Sequence, residues 1–244
     1  MSHNVTESNM VKGNMQNEPQ DVQNNSSDES VTFKLARSIS TVFTHICIGV
    51  VVGSAILFAF RNGTPLNATN LHLLLCVIGY QLLMAEAIIS LSPASWLSNL
   101  KLRHKRLVHM IVQIIGSLMV IAGSFIKIAD KEIHWNTLHG QFGLVALVFT
   151  SVSLVNGLTS FYANKFHRFI PGALSKLTHI CFGIVSLSAA SICLSYGFDK
   201  NFFRNWATSN LADTLIVLTL VFTIIVIISP FITFFKRLKG HFRK

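Results

Sequence analysis

Charge is what this chain has least of. Only 12% of its 244 residues are Asp, Glu, Lys or Arg, whereas a soluble domain is typically about a quarter charged. The deficit excludes an ordinary soluble globular protein before any segment is inspected. Cysteine is sparse too, with four residues, Cys47, Cys76, Cys181 and Cys193, all inside apolar stretches. None has zinc-like spacing and none lies in a loop, which excludes a disulfide framework or a zinc ribbon and leaves small buried hydrophobes. No apolar core or cleavage site stands near Met1, so no secretory signal peptide is expected. Residues 1–31 have few aromatics and many Asn, Ser, Gln and acidic residues, and are expected to form a disordered tail.

What is present is hydrophobic: 51% of the residues, with a mean hydropathy of +0.53. The formal net charge of +10 raises the question of nucleic acid, but its placement answers against it. The cations lie in short loops and in the tail after Phe235, as topology signals and lipid headgroup contacts do. Six apolar stretches, at 39–60, 71–91, 107–126, 138–158, 174–196 and 212–235, each approach the ~20 residues a helix needs to cross the hydrocarbon core. Lipid cannot satisfy open backbone groups, so they are expected to be helices. The fold class is therefore an all-α membrane protein of six transmembrane helices, with helices 2–5 as a four-helix bundle. Residues 32–240 form the membrane domain and 241–244 a basic cytoplasmic tail.

Threading six spans puts fifteen Lys and Arg on one side of the membrane, including Lys101, Lys105 and Lys176, and five on the other: Arg61, Lys127, Lys131, Lys200 and Arg204. The positive-inside rule then places both termini in the cytoplasm. The sequons Asn62-Gly63-Thr64 and Asn67-Ala68-Thr69 face the lumen or exterior, and those at Asn4, Asn24 and Asn25 should be silent.

Against this background four histidines stand out. His72, His109, His139 and His179 each lie near the front edge of a span, where an ionisable side chain is costly and needs a reason. Orientation sorts them. Spans 2 and 4 run inward, so His72 and His139 share the outer leaflet; spans 3 and 5 run outward, so His109 and His179 share the inner one. Each pair comes from next-but-one helices, which face each other diagonally in a bundle, where cofactor sites are built from inward side chains. A flat macrocycle fits between two opposed imidazoles, and two pairs would hold two haems with irons roughly 20 Å apart. Two axial histidines leave a haem no open position, so its chemistry is electron transfer rather than oxygenation. A lone membrane histidine is more often a hydrogen-bonding residue; four in two depth-matched pairs favour ligation. The alternative is a haem-free cation or proton transporter using the same side chains, although zinc sites gather three or four ligands together.

The surrounding residues resemble a known family, the cytochrome b-561 transmembrane reductases. The likeness is carried by Leu71-His72, Leu83-Met84-Ala85-Glu86-Ala87, Lys105-Arg106-Leu107-Val108-His109, Leu138-His139-Gly140-Gln141-Phe142-Gly143 and Lys176-Leu177-Thr178-His179, and covers residues 33–240. It implies six helices and two haems b, with His72 and His139 on the non-cytoplasmic iron and His109 and His179 on the cytoplasmic one. It also implies electrons passing from cytoplasmic ascorbate to monodehydroascorbate or a ferric chelate, and a homodimer is a family expectation. The His139-Gly140-Gln141 segment departs from the His-Ser-Trp usual in the ascorbate-recycling branch, which bears on the outer substrate. An endoplasmic reticulum or vesicle membrane is the expected location.

Ascorbate is an anion at neutral pH and needs cations beside the inner haem. Lys101, Lys105 and His109 are spaced i, i+4, i+8 and so share one helix face, with Arg106 and Lys176 nearby; the competing explanation is topology signalling alone. On the outer side His134, with Trp135 and Asn136, is expected to cover the haem as a proton donor, an acceptor contact or an iron ligand, or to be an interfacial anchor. Glu86 is the only acid in the interior of spans 1–5. It needs a partner there, either a ligand histidine whose ring it would fix or a neighbouring helix. His45 is expected to serve helix packing or meet a haem propionate, and His167 and His241 to be solvated. Gly79, Gly116, Gly123, Gly143 and Gly183 are expected to let helices approach closely.

Overall fold

The computed structural model describes residues 20–162 and 172–242, with side chains from 31 to 162 and from 172 to 240. The helices are α1 (Gln20–Ala59), α2 (Ala68–Ile89), α3 (Leu102–Ala129), α4 (Leu138–Phe161), α5 (Gly172–Phe198), the short α6 (Asn201–Ala207) and α7 (Ser209–Phe242). Among the described residues there is no strand. Six of these helices, all but α6, are long and apolar enough to cross a membrane, as the apolar stretches predict. Their outward faces carry large apolar side chains such as Leu118, Phe125 and Val155, which suits contact with lipid chains.

Helix α1 begins at Gln20, because propagating a helix from an apolar span adds one hydrogen bond per residue fixed and carries it into polar sequence. Residues 1–19, with the sequon at Asn4 and Lys12, lie outside the described residues, as do Lys165, His167 and Arg168. The N-terminal unit ends at Ser40; in it the Arg37 guanidinium lies 4.8 Å from the centre of the Phe33 ring.

Within the second unit, Thr41–Lys244, α2 packs on α3 and α4 packs on α5. Further contacts of α3 with α4 and of α2 with α5 close a four-helix ring. Its core holds Tyr80, Met84, Val120, Ala146, Ala189 and Ala190. A larger core lies to one side, where α1 residues such as Val51 and Phe58 meet Leu187 and Phe198 of α5, Phe203 of α6, and Leu215 and Phe222 of α7. The α2–α3 crossing is close because glycines face each other. A Cβ at Gly79 would strike the Val120 side chain and lie 2.9 Å from the Gly116 carbonyl oxygen, and one at Gly123 would lie 2.9 Å from Leu75 Cβ.

Helix α2 is not regular. It is α-helical from Ala68 to Val77, π-helical over Ile78–Met84, and α-helical again over Ala85–Ile89. A π-turn bonds i to i+5 and takes up one more residue than an α-turn, and such bulges are frequent at functional sites. Its start is fixed by Asn67, whose side chain accepts from Asn70 N at 2.8 Å. Thr137 caps α4 in the same way, accepting from Gly140 N at 3.2 Å. Both caps satisfy first-turn donors and so set the depth at which His72 and His139 enter the bundle.

Candidate haem-binding histidine pairs

The four histidines meet in the pairs that parity predicts. The ring centres of His72 and His139 are 6.3 Å apart, with the planes at 82°; those of His109 and His179 are 6.2 Å apart, at 85°. Metal–imidazole nitrogen bonds are roughly 2 Å, and a ring centre lies roughly 1 Å behind its nitrogen, so two imidazoles on one metal have centres about 6 Å apart. Both spacings fit an ion held between the rings. Among the described residues no three His, Cys, Asp or Glu side chains gather to hold a metal, so the histidines meet as pairs only.

What aims the rings is backbone. His72 Nδ1–H donates to the Gly123 carbonyl at 2.9 Å, and His109 Nδ1–H to the Ala87 carbonyl at 2.7 Å. His139 Nδ1–H donates to the Cys193 carbonyl at 2.8 Å, and His179 Nδ1–H to the Ser153 carbonyl at 2.9 Å. A carbonyl only accepts, so each contact places the proton on Nδ1 and leaves Nε2 as the nitrogen with the lone pair. Metal-bound histidine uses its second nitrogen in this way, which fixes the tautomer and raises ligand basicity. Interhelical hydrogen bonds in membranes are worth only about 0.6 kcal/mol each, so these four matter more for orientation than for stability.

The exchange is reciprocal within each helix hairpin: α2 and α3 hold each other's histidine, and so do α4 and α5. The register repeats. Fourteen residues separate His109 from Gly123, His179 from Cys193, and His139 from Ser153. Fifteen separate His72 from Ala87, and α2 is the helix with the π-turn. One extra residue is thus absorbed with both contacts kept. Fourteen residues are almost four turns and about 21 Å of rise, close to the separation expected for two irons.

The rings also need room. A Cβ at Gly157 would lie 2.9 Å from His179 Cε1, and one at Gly197 3.4 Å from His139 Cε1. Sequence reading singled out other glycines and missed these two. Each faces a ring on the other helix of its hairpin, and only the hairpin register would have found them. Two of the cysteines read as plain hydrophobes also sit at the first pair: Cys76 Sγ is 3.5 Å from His72 Nδ1, and Cys193 Sγ is 3.4 Å from His139 Nδ1. All four cysteines are free thiols.

Beside His72 and His139 lies a cavity of about 340 Å³. Aromatics Phe58, Phe198, Phe202 and Phe203 form part of its wall, and Lys127, Lys131, His134 and Lys200 line it too. His134 is exposed and its ring stands 5.8 Å from that of Trp135. Lys127 is already engaged with Asp130 at 2.6 Å and Thr69 at 2.7 Å. Near the cavity, Arg204 of α6 bridges Asp199 at 2.7 Å and Asp213 at 2.6 Å. These carboxylates raise the already high pKa of its guanidinium.

At the other end, Lys105 and Lys101 part company. Lys105 is buried and its Nζ donates to the Ser92 carbonyl at 3.4 Å; among the described residues it has no ion pair. Lys101 precedes α3 as its N-cap and is exposed. The shared helical face therefore runs from Lys105 to His109, with Lys101 at its mouth. Arg106 is exposed and Lys176 half-buried. Glu86 takes the helix-bridging alternative: His45 Nδ1–H donates to Glu86 Oε1 at 2.7 Å, joining α1 to α2. The His109 ring relies not on the Glu86 carboxylate but on the next residue, Ala87, which supplies the carbonyl that holds it.

Comparison with known proteins agrees with this geometry. The family described as "Eukaryotic cytochrome b561" matches residues 71–204, more than half of the chain and all four histidines. The chain is 28% identical over 206 residues to "Transmembrane reductase CYB561D2" of Mus musculus, covering 82% of this chain and 90% of that protein. The Homo sapiens protein of the same name gives the same identity and coverage. No solved structure matches it. The chain is an integral multi-pass membrane oxidoreductase and belongs to the haem-binding eukaryotic cytochrome b561 family.

Proposed function

We propose that the chain is a transmembrane electron carrier with two haems b, taking single electrons from cytoplasmic ascorbate and delivering them to monodehydroascorbate or a ferric chelate on the opposite side. The observation that carries this reading is the set of four Nδ1–H contacts, which leave Nε2 unprotonated on four rings that meet in two pairs, with ring centres at metal-bridging spacing. His72 with His139 would hold the outer haem and His109 with His179 the inner one. Each haem, when bound, supplies a reversible one-electron couple. The chain's own work is to hold both faces of each iron site, exclude water and keep the sites about four turns apart.

The positive-inside asymmetry puts the His109–His179 end and both termini in the cytoplasm. Lys105 supports an anionic donor there: among the described residues its buried ammonium is matched only by a backbone carbonyl, so an arriving anion would not have to displace a carboxylate. Lys101 would steer that anion in from the surface. At the other end Lys131, Lys200 and His134 line the cavity beside the outer pair, which favours an anionic acceptor. Glu86 would serve the inner site indirectly, by fixing the turn that carries Ala87.

The test is direct. Purified from haem-replete cells, the protein should contain two haems per chain by pyridine haemochrome assay, and ascorbate should reduce both. A colourless protein that folds and reaches the membrane would overturn the proposal and favour a haem-free transporter.

A further inference from the structure

Midway between the two histidine pairs lies a polar layer that the hairpin framework does not require. Ser186 on α5 is equidistant in sequence from His179 and Cys193. Thr150 on α4 stands one residue short of a turn before Ser153, whose carbonyl holds His179. Tyr80 on α2 joins them: its hydroxyl lies 3.0 Å from Thr150 Oγ1, which is 2.6 Å from Ser186 Oγ. Thr150 spends its own proton on the Ala146 carbonyl at 2.7 Å, so it accepts from Tyr80.

Tyr80 lies within the π-turn Ile78–Met84, the one place where α2 departs from the fourteen-residue register. It stands eight residues after His72. The residue eight after His139 on α4 is Leu147, so the framework is satisfied there by an aliphatic side chain. Tyr80 is buried, at 6% exposure. Its side chain lines the small cleft shared by His72 and His139, while its hydroxyl ends within a turn of the support of the other pair. One side chain thus spans much of the gap between the two sites.

We propose that Tyr80 is a bridging residue that couples the two sites for electron transfer, acting through its ring while keeping its phenolic proton. The proposal rests on the two-haem reading above. Tunnelling decays less steeply through packed atoms than across a gap, and an aromatic ring supplies continuous density where an aliphatic chain would leave less. In the step one electron is lost at the inner site and one gained at the outer; no bond forms or breaks and no proton moves. Oxidation of the phenol itself is disfavoured because, among the described residues, its hydroxyl meets the hydroxyl of Thr150, which is not a base to take its proton.

The experiment uses the full-length haem-loaded protein in lipid nanodiscs, with Tyr80→Phe and Tyr80→Leu variants. Haem content and both midpoint potentials are measured first, and then the two phases of haem reduction after rapid mixing with ascorbate. A wild-type protein without two haems would refute the underlying reading, not this residue's role. Given two haems, Tyr80→Phe should keep the wild-type rate of the second phase. Tyr80→Leu should slow it several-fold at unchanged haem content and potentials. A Tyr80→Leu protein as fast as wild type, or a Tyr80→Phe protein as slow as Tyr80→Leu, overturns the proposal. Should Tyr80→Leu fail to retain both haems, Tyr80→Met decides: it fills the space without an aromatic ring, so a slowed second phase supports the role and an unchanged one overturns it.

Discussion

At each of the four histidines Nδ1–H is committed to a carbonyl on the neighbouring helix, and on the proposed assignment Nε2 would take the metal. Replacing either His72 or His139 with Ala should therefore halve the haem content, leaving the spectrum of the His109–His179 site intact. Loss of the inner signal instead would show that the pairs are wrongly drawn. The glycines behind the rings give a graded test. Gly157→Ala sets a methyl group 2.9 Å from His179 Cε1, whereas Gly197→Ala leaves 3.4 Å at His139. Overpacking typically costs about 1–3 kcal/mol, so Gly157→Ala should visibly weaken inner-haem retention in a competition with apomyoglobin, and Gly197→Ala should have the smaller effect. Equal behaviour would mean that the His179 ring can give way.

Among the elements, α2 is the informative one. Deleting Ile78 should turn its π-turn into regular α-helix and give it the fourteen-residue register of α3, α4 and α5, with His72 and His109 still meeting Gly123 and Ala87. Deleting Val145 from α4 has no bulge to absorb it and should abolish haem binding. Haem-to-protein ratios of the two deletions, both confirmed in the membrane fraction, would decide; loss in both would show that the bulge is not a simple insertion. These elements also show what could be read beforehand. The six spans and the pairing of the histidines were legible, because lipid penalises charge and because helix parity assigns depth. The rings' partners were not, because a backbone carbonyl is carried by any residue; Gly123, Ala87, Cys193 and Ser153 share no side-chain signal. Glu86 was recognised as needing a partner, but His45 emerged only from how α1 packs on α2. The sharing of one face by Lys101 and Lys105 missed a difference in burial that arises because Lys101 lies before the first turn of α3.

Across the whole molecule, cations stand at both proposed substrate approaches: Lys101 and Lys105 at one end, Lys131 and Lys200 at the other. Removing the buried ammonium with Lys105→Ala should slow reduction by ascorbate on the order of tenfold, equivalent to ~1.4 kcal/mol in the barrier, with haem content unchanged. The wild-type rate should fall as ionic strength rises, since surface fields are screened within about 10 Å at 0.1 M salt. A rate indifferent to both changes would move the donor site away from α3.

The reciprocal bonding within hairpins has a consequence for assembly. Each hairpin finishes the aiming of its own two histidines, yet contributes only one to each pair. On the proposed assignment neither half could fully ligate a haem by itself, and the two halves would share every iron. A chain cut in the exposed loop between Asp130 and Lys131 should yield two pieces that insert separately and copurify when haem is plentiful, but come apart when haem synthesis is blocked. Pieces that stayed together without haem would show that helix packing alone suffices. On this view the prosthetic group is also a fastener, and the supply of haem sets how much of the protein is ever completed.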